Sequence, residues 1–224
     1  MREIVLDTET TGLDPKSGHR IVEIGCVELI NHVATDATFH KYINPERDMP
    51  EEAFRVHGLS VEFLQDHPVF ADIADEFLTF IGDSPLVIHN AEFDMGFLNA
   101  ELVKVKLGKL DMLRSIDTVR MARKKFPGAP ANLDALCKRF QIDNSNRELH
   151  GALLDARLLA DVYLELTGGR QQGLELAGQK QQQQIAPVNS DGQPRAPRLH
   201  TPSPEEEAAH QAFLGKLDTP LWLE

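Results

Sequence analysis

The order of the periodic segments constrains this chain most. Three strand-like runs come first: about 3–9, then RIVEIGCVELI at 20–30 and ATFHKYIN at 37–44. Each is rich in apolar and β-branched residues, and the short connections predict an antiparallel meander. The period then changes. Phe70, Ile73, Ala74, Phe77 and Ile81 recur at helical spacing within 69–82. A short buried strand is expected at 85–90 and a helix at 91–105. A strand end at 115–118 leads into a helix through Lys125, and further helices are expected at 133–140 and 152–166. Strands first, then strand–helix alternation, predicts an α/β fold: a mixed sheet flanked by helices.

That pattern stops near residue 168. Residues 169–202 are rich in Gln, Pro, Gly and Ser. Such a stretch buries too little apolar surface to offset its ordering entropy and reads as a flexible linker. The last segment, 203–224, differs again. Ser203 is an N-cap followed by Pro204 at the first helical position, with Glu205, Glu206 and Glu207 in the first turn and Glu206 spaced for a capping box. TPLWLE then closes the chain with its only Trp. A short helix and an apolar end, Leu221, Trp222 and Leu223, are too small to fold alone. They read as a docking peptide.

The formal net charge is −12. This excludes a protein that grips nucleic acid through bulk electrostatics, because that grip comes from Lys and Arg neutralising phosphates. It leaves room for a small nucleic-acid site whose positive charge comes from metal ions. Cys26 and Cys137 form no C-x-x-C pair and sit in apolar runs, as reduced core thiols do. The N-terminus has no signal-peptide pattern, and no apolar run approaches the ~20 residues a membrane span needs. The expectation is a soluble cytoplasmic protein with no membrane partner.

The first strand ends in IVLDTETTG, residues 4–12. Strand alternation puts Asp7 and Glu9 on one face, about 7 Å apart, with Thr8 pointing away. Two carboxylates that close repel unless a cation lies between them. A solvated turn would explain this pair alone, but two further acids shift the balance. Asp94 heads an apolar stripe with Phe97, Leu98 and Val105, and Asp155 heads one with Leu158, Leu159, Val162 and Leu166. Both acids therefore face the protein, where a carboxylate needs a partner or a metal. His150 precedes Asp155 by five residues and stands just before its helix. Histidine titrates near neutral pH, as a general base for a metal-activated water must.

DTETTG, HNAEFD and HGALLDA, in this order and spacing, resemble the three exonuclease motifs of the DEDD superfamily, with His-x-x-x-x-Asp marking its histidine subgroup. VHG at 56–58, FPG at 126–128, LDALC at 133–137, LHGALLDA and YLELTGG at 163–169 narrow the likeness. Together they resemble the proofreading epsilon subunits of bacterial DNA polymerase III over about residues 2–169. The resemblance implies an RNase H-like fold in 1–168 and 3′→5′ exonuclease activity with two Mg²⁺ or Mn²⁺ ions. It implies metal-holding roles for Asp7, Glu9, Asp94 and Asp155, and a general-base role for His150. Leu13 matches an apolar wedge beneath the terminal base, and Glu52, His57, Asn90 and Phe93 match contacts to the terminal nucleotide. Asp7, Glu9 and Asp155 would also meet the substrate.

The implied partners are the single-stranded 3′ end of primer DNA and the polymerase catalytic (alpha) subunit, reached through the tail. A small theta-like accessory subunit is left open. QQGLEL at 171–176 resembles a weak sliding-clamp (beta) motif with Gln171, Leu174 and Leu176 as anchors. Two other readings stay open on sequence: a stand-alone exoribonuclease resembling RNase T or oligoribonuclease, and a structural subunit without catalysis. The flexible tail speaks against the first. The full set of four acids and His150 speaks against the second.

Overall fold

β1 (Arg2–Thr10) is the middle strand of a five-stranded sheet in the order β3-β2-β1-β4-β5. β2 (Ile21–Ile30) and β3 (Val33–Tyr42) continue from it as an antiparallel meander. β4 (Leu86–Ile88) and β5 (Ser115–Asp117) add in parallel on the other side. The computed structural model describes residues 1–145, 149–169 and 202–216. The chain divides into two compact units, Met1–Glu175 and Leu176–Glu224.

Both faces of β1 are covered. Ile4 and Leu6 join a core with Ile24, Cys26, Phe39, Leu86 and Ile88, under α3 (Phe70–Ile81) and α4 (Ala91–Lys104). Val5 faces the other way and packs with Val27, Leu29 and Val87 under α5 (Thr118–Lys125), α6 (Leu133–Phe140) and α7 (Ala152–Thr167). A strand buried on both sides reads as a continuous apolar run, which is why IVL at 4–6 lacks alternation. Each large side chain buried here contributes about 1.5–3 kcal/mol by leaving water. Cys26 and Cys137 are buried and free, and burial pushes the Cys26 thiol up.

The expected strands and helices of the first unit appear within a few residues of their expected bounds. β3 starts earlier and stops sooner than 37–44, because its pairing runs right up to the tight turn at Asn31 and His32, both with positive φ. α1 (Glu51–His57) and α2 (Val61–Leu64) were not expected. They are short and have no apolar stripe, but α1 carries end signals: Glu51 and Glu52 in its first turn and Gly58 at φ 73 as its cap. In the second unit, α8 (Pro204–Leu214) starts at the expected cap. The Glu206 amide donates to Ser203 Oγ at 3.3 Å, and the Ser203 amide donates to Glu206 Oε2 at 2.8 Å. Among the described residues, no helix is long and apolar enough to cross a membrane.

Candidate active site

The acids gather at the C-terminal end of β1, approaching from both faces of the sheet. Asp7 and Glu9 share the α7 face, where Asp155 sits in the first turn of α7. Thr8 does point away from that face, but not into water: its hydroxyl donates to Asp94 Oδ1 at 2.7 Å. Asp94 belongs to the first turn of α4 and is 2% exposed. A left-handed turn at Asn90 (φ 70, ψ 58) starts α4 directly after β4. Asn tolerates this conformation better than most residues.

Gly25 makes the α7 approach possible. It pairs with Asp7 across β1 and β2. A Cβ there would lie 2.2 Å from the Leu153 amide nitrogen and 2.3 Å from the Ala152 carbonyl carbon. Without that atom, the start of α7 lies on the sheet backbone beside Asp7. His150 is two residues upstream of α7; its amide donates to the Val56 carbonyl at 3.1 Å, and its Nδ1 lies 3.5 Å from Asp155 Oδ2. The imidazole is half exposed.

Crowding is visible in the proton affinities. Burial first, then Asp94, Glu9, Asp155 and Glu23, raise the Asp7 carboxyl well above the ordinary range. Burial raises Asp94 to about 7, against the opposing hydrogen bond from Thr8. Glu9, His150 and Asp155 offer ligand atoms that all lie within 4.8 Å of one another. A mixed carboxylate and imidazole set suits a divalent cation. Positive charge at this point also favours ionisation of acids that burial and mutual repulsion oppose. The residues present therefore fit divalent metal.

Beside the acids lies a cleft of about 520 Å³ lined by Glu9, Leu13, Glu52, His57 and Phe93 among others. Leu13 is 85% exposed at its rim. His57 is buried; its Nδ1 accepts from the Leu59 amide at 3.1 Å, so its ring proton sits on Nε2. Burial pushes its pKa below the ordinary value, which keeps it neutral. A second cleft of about 300 Å³ holds Asp7, Asp94, Asp155 and His150 and shares Thr8, Glu9 and Phe93 with the first. Asn90 lines neither; it faces a third cleft with His89.

Sequence reasoning missed Thr8, Gly25 and the groups that fix the rim. Thr11 Oγ1 meets His19 Nδ1 at 3.1 Å, and the His19 ring lies against Gly12, where a Cβ would come within 2.3 Å of it. Arg20 grips Glu101 of α4 through two hydrogen bonds of 2.6 and 2.9 Å. A buried Glu on the helix of Asp94 was the available signal for that pair. Gln171, Leu174, Leu176, Leu221, Trp222 and Leu223 lie outside the described residues.

A family model described as Exonuclease matches residues 4–163. DNA polymerase III subunit epsilon of Rickettsia felis is 54% identical over 222 residues, covering 97% of both chains. The Escherichia coli protein of that name is 47% identical over 223 residues, covering 95% of this chain and 92% of the relative. Among solved structures, Exonuclease X in complex with 5′ overhanging duplex DNA aligns with TM-score 0.58 at 25% identity, over 74% of this chain and 90% of that one. The nuclease domain of 3'hExo, a DEDDh family member bound to rAMP, aligns with TM-score 0.63 at 18% identity, again over 74% and 90%. It shares the fold of the first unit.

Proposed function

The chain belongs to the exonuclease family and, within it, to the DNA polymerase III epsilon subunits; from this premise we propose that it removes mismatched nucleotides from the 3′ end of a primer strand as 5′-monophosphates. One observation carries the reading. Carboxylates from both faces of the sheet converge at the end of β1, with an imidazole 3.5 Å from one of them.

Asp7, Glu9, Asp94 and Asp155 would hold two Mg²⁺ or Mn²⁺ ions. Bound divalent ions supply Lewis acidity towards the phosphodiester and make water acidic enough to deprotonate near neutral pH. His150 takes the proton of the attacking water and is kept beside Asp155 for that purpose. Thr8 holds Asp94, so the acid from α4 keeps its place while its neighbours repel it. Leu13 and Phe93 offer apolar surface to the terminal base, and Leu13 acts as the wedge beneath it. Glu52 gives an acceptor to the terminal sugar, and the neutral His57 ring packs in the same cleft wall against it. Asn90, in the wall of the third cleft, meets the terminal nucleotide on the side by which the strand leaves.

Selectivity follows from access. A narrow cleft takes an unpaired end, and a mismatched end unpairs at less cost than a matched one. The polymerase catalytic subunit, held by residues 203–224, delivers that end. Residues 169–202 act as the tether, with Gln171, Leu174 and Leu176 touching the sliding clamp. The test uses 5′-labelled single-stranded DNA and RNA, matched and mismatched primers, and chelator controls. Metal-dependent release of mononucleotides, faster from mismatched DNA, is expected. Preference for RNA would favour an exoribonuclease, and no release would leave a structural subunit.

A further inference from the structure

The three clefts adjoin through shared wall residues as one groove, and among the described residues one flank of it carries arginine. The second cleft shares His89 and Asn132 with a third of about 580 Å³. Arg120 and Arg123 line that third cleft, and among the described residues the first two have no Lys or Arg in their walls. Both arginines sit on α5 three residues apart, hence on one helix face. Arg123 is exposed and makes no ion pair or hydrogen bond among the described residues. The Arg120 side chain is 79% exposed and reaches only a loose contact of 3.6 Å with Asp117. Asp117 is occupied in capping α5, accepting from the amides of Val119 and Arg120 at 2.8 and 3.2 Å. Their neighbour Lys125 differs: it is bound to the carbonyls of Glu165 and Leu166 at the end of α7. Asn132 accepts from the Ala135 amide through its side-chain oxygen, which leaves its NH₂ group to donate. Glu92 and Asp117 are the acids in this wall.

We propose that Arg120 and Arg123, with Asn132, bind the phosphodiesters of the nucleotides that precede the scissile one. This rests on the exonuclease reading and adds a direction to it. The terminal nucleotide lies in the apolar cleft by Leu13, its phosphate at the acids, and the rest of the strand leaves past α5. A chain of net charge −12 repels a polyanion as a whole. Two exposed guanidinium groups at one end of the groove, Arg123 without an ion pair among the described residues and Arg120 in a loose contact with Asp117, therefore set the strand's path. Arginine forks also fit phosphate oxygens in bidentate fashion.

The test compares the full chain with its R120A/R123A and R120K/R123K variants on two substrates. One is a single strand of roughly eight nucleotides. The other is the p-nitrophenyl ester of thymidine 5′-monophosphate, which has no upstream phosphodiester. In the alanine pair, the ratio of kcat/KM on the strand to kcat/KM on the ester should fall about ten-fold. The salt dependence of strand cleavage should flatten by about 1.4 in log–log slope, the share of two phosphates. The lysine pair should recover most of the salt slope and only part of the ratio. An unchanged ratio, or an equal loss on the two substrates, overturns the proposal. Were the wild-type chain to cut neither substrate, the exonuclease reading would fall alone. Fluorescence-anisotropy titration of a labelled strand, with the same salt slopes, would then decide the arginines.

Discussion

Asp94 shows what a residue gives up to serve a site. Its carboxyl sits at about 7 against an ordinary 3.8, chiefly through burial. Between those values the folded chain keeps a proton that the unfolded chain has released. Stability of the metal-free protein should therefore fall as pH rises from about 4 to 7. Asp7, raised in the same direction, adds to the slope. Urea midpoints across this range in the presence of chelator should decline, Asp94→Asn should flatten the profile, and divalent metal should restore stability most at the upper end. A flat wild-type profile would mean that the acids are better solvated than their setting implies. His150 carries the complementary expectation. A general base contributes about 10²–10⁴-fold, so His150→Ala should lower the single-turnover rate within that range while the metal concentration for half-maximal activity stays nearly constant. A proportional rise in that concentration would make His150 a ligand instead.

At the scale of elements, the site depends on two joints. The first is Gly25, where the start of α7 rests on the β2 backbone. Gly25→Ala must push α7 away, and overpacking of this kind costs about 1–3 kcal/mol. Displacement of Asp155 should reduce nuclease activity far more than the lost stability explains, assayed at a temperature where the variant remains folded. Activity close to wild type would show that α7 adjusts without moving its acid. The second joint is Arg20. Its fork binds Glu101, two helical turns beyond Asp94 on α4, and Arg20 also donates to the Pro45 carbonyl at 3.2 Å. Glu101 is 2% exposed, so Arg20→Ala leaves a buried carboxylate alone. Loss of one partner of such a pair costs about 3–5 kcal/mol. Chemical denaturation at neutral pH measures it, and a loss below about 1 kcal/mol, the range of an exposed pair, would show that water reaches Glu101.

For the whole molecule, the division into two units sets the expectation. A chain ending at Gly169 keeps every acid of the site and His150, and it should cut single-stranded DNA at the full-length rate. It should no longer co-elute with the polymerase catalytic subunit, because the capped helix at Pro204–Leu214 and the apolar end beyond it are gone. A tether of about 34 residues spans roughly 30–35 Å root-mean-square. That reach holds the nuclease at high local concentration near the primer end. Trp222→Ala in the full chain should weaken the complex, as buried Trp anchors commonly contribute upwards of ~2 kcal/mol. Retained co-elution of the truncated chain would move the docking surface onto the first unit.

The sequence by itself determined what is local. Periods of two and 3.6 placed the main strands and helices, because each depends on neighbours a few residues away. An apolar stripe headed by Asp94 and another headed by Asp155 showed that both acids face the protein, because a stripe fixes which way its first residue points. The capping box at Ser203 and Glu206 was legible for the same reason. Helices α1 and α2 were not, because they lack the apolar stripe that betrays a helix. Only the tertiary structure decided that Thr8 bonds Asp94 from 86 residues away, that Gly25 admits α7, and that Arg20 spans to Glu101. It also decided that the two arginines of α5 flank the acidic groove. These pairings join segments distant in sequence, and no local preference encodes them. They arise when two helices close on opposite faces of β1 and bring their charged ends to the same edge of the sheet.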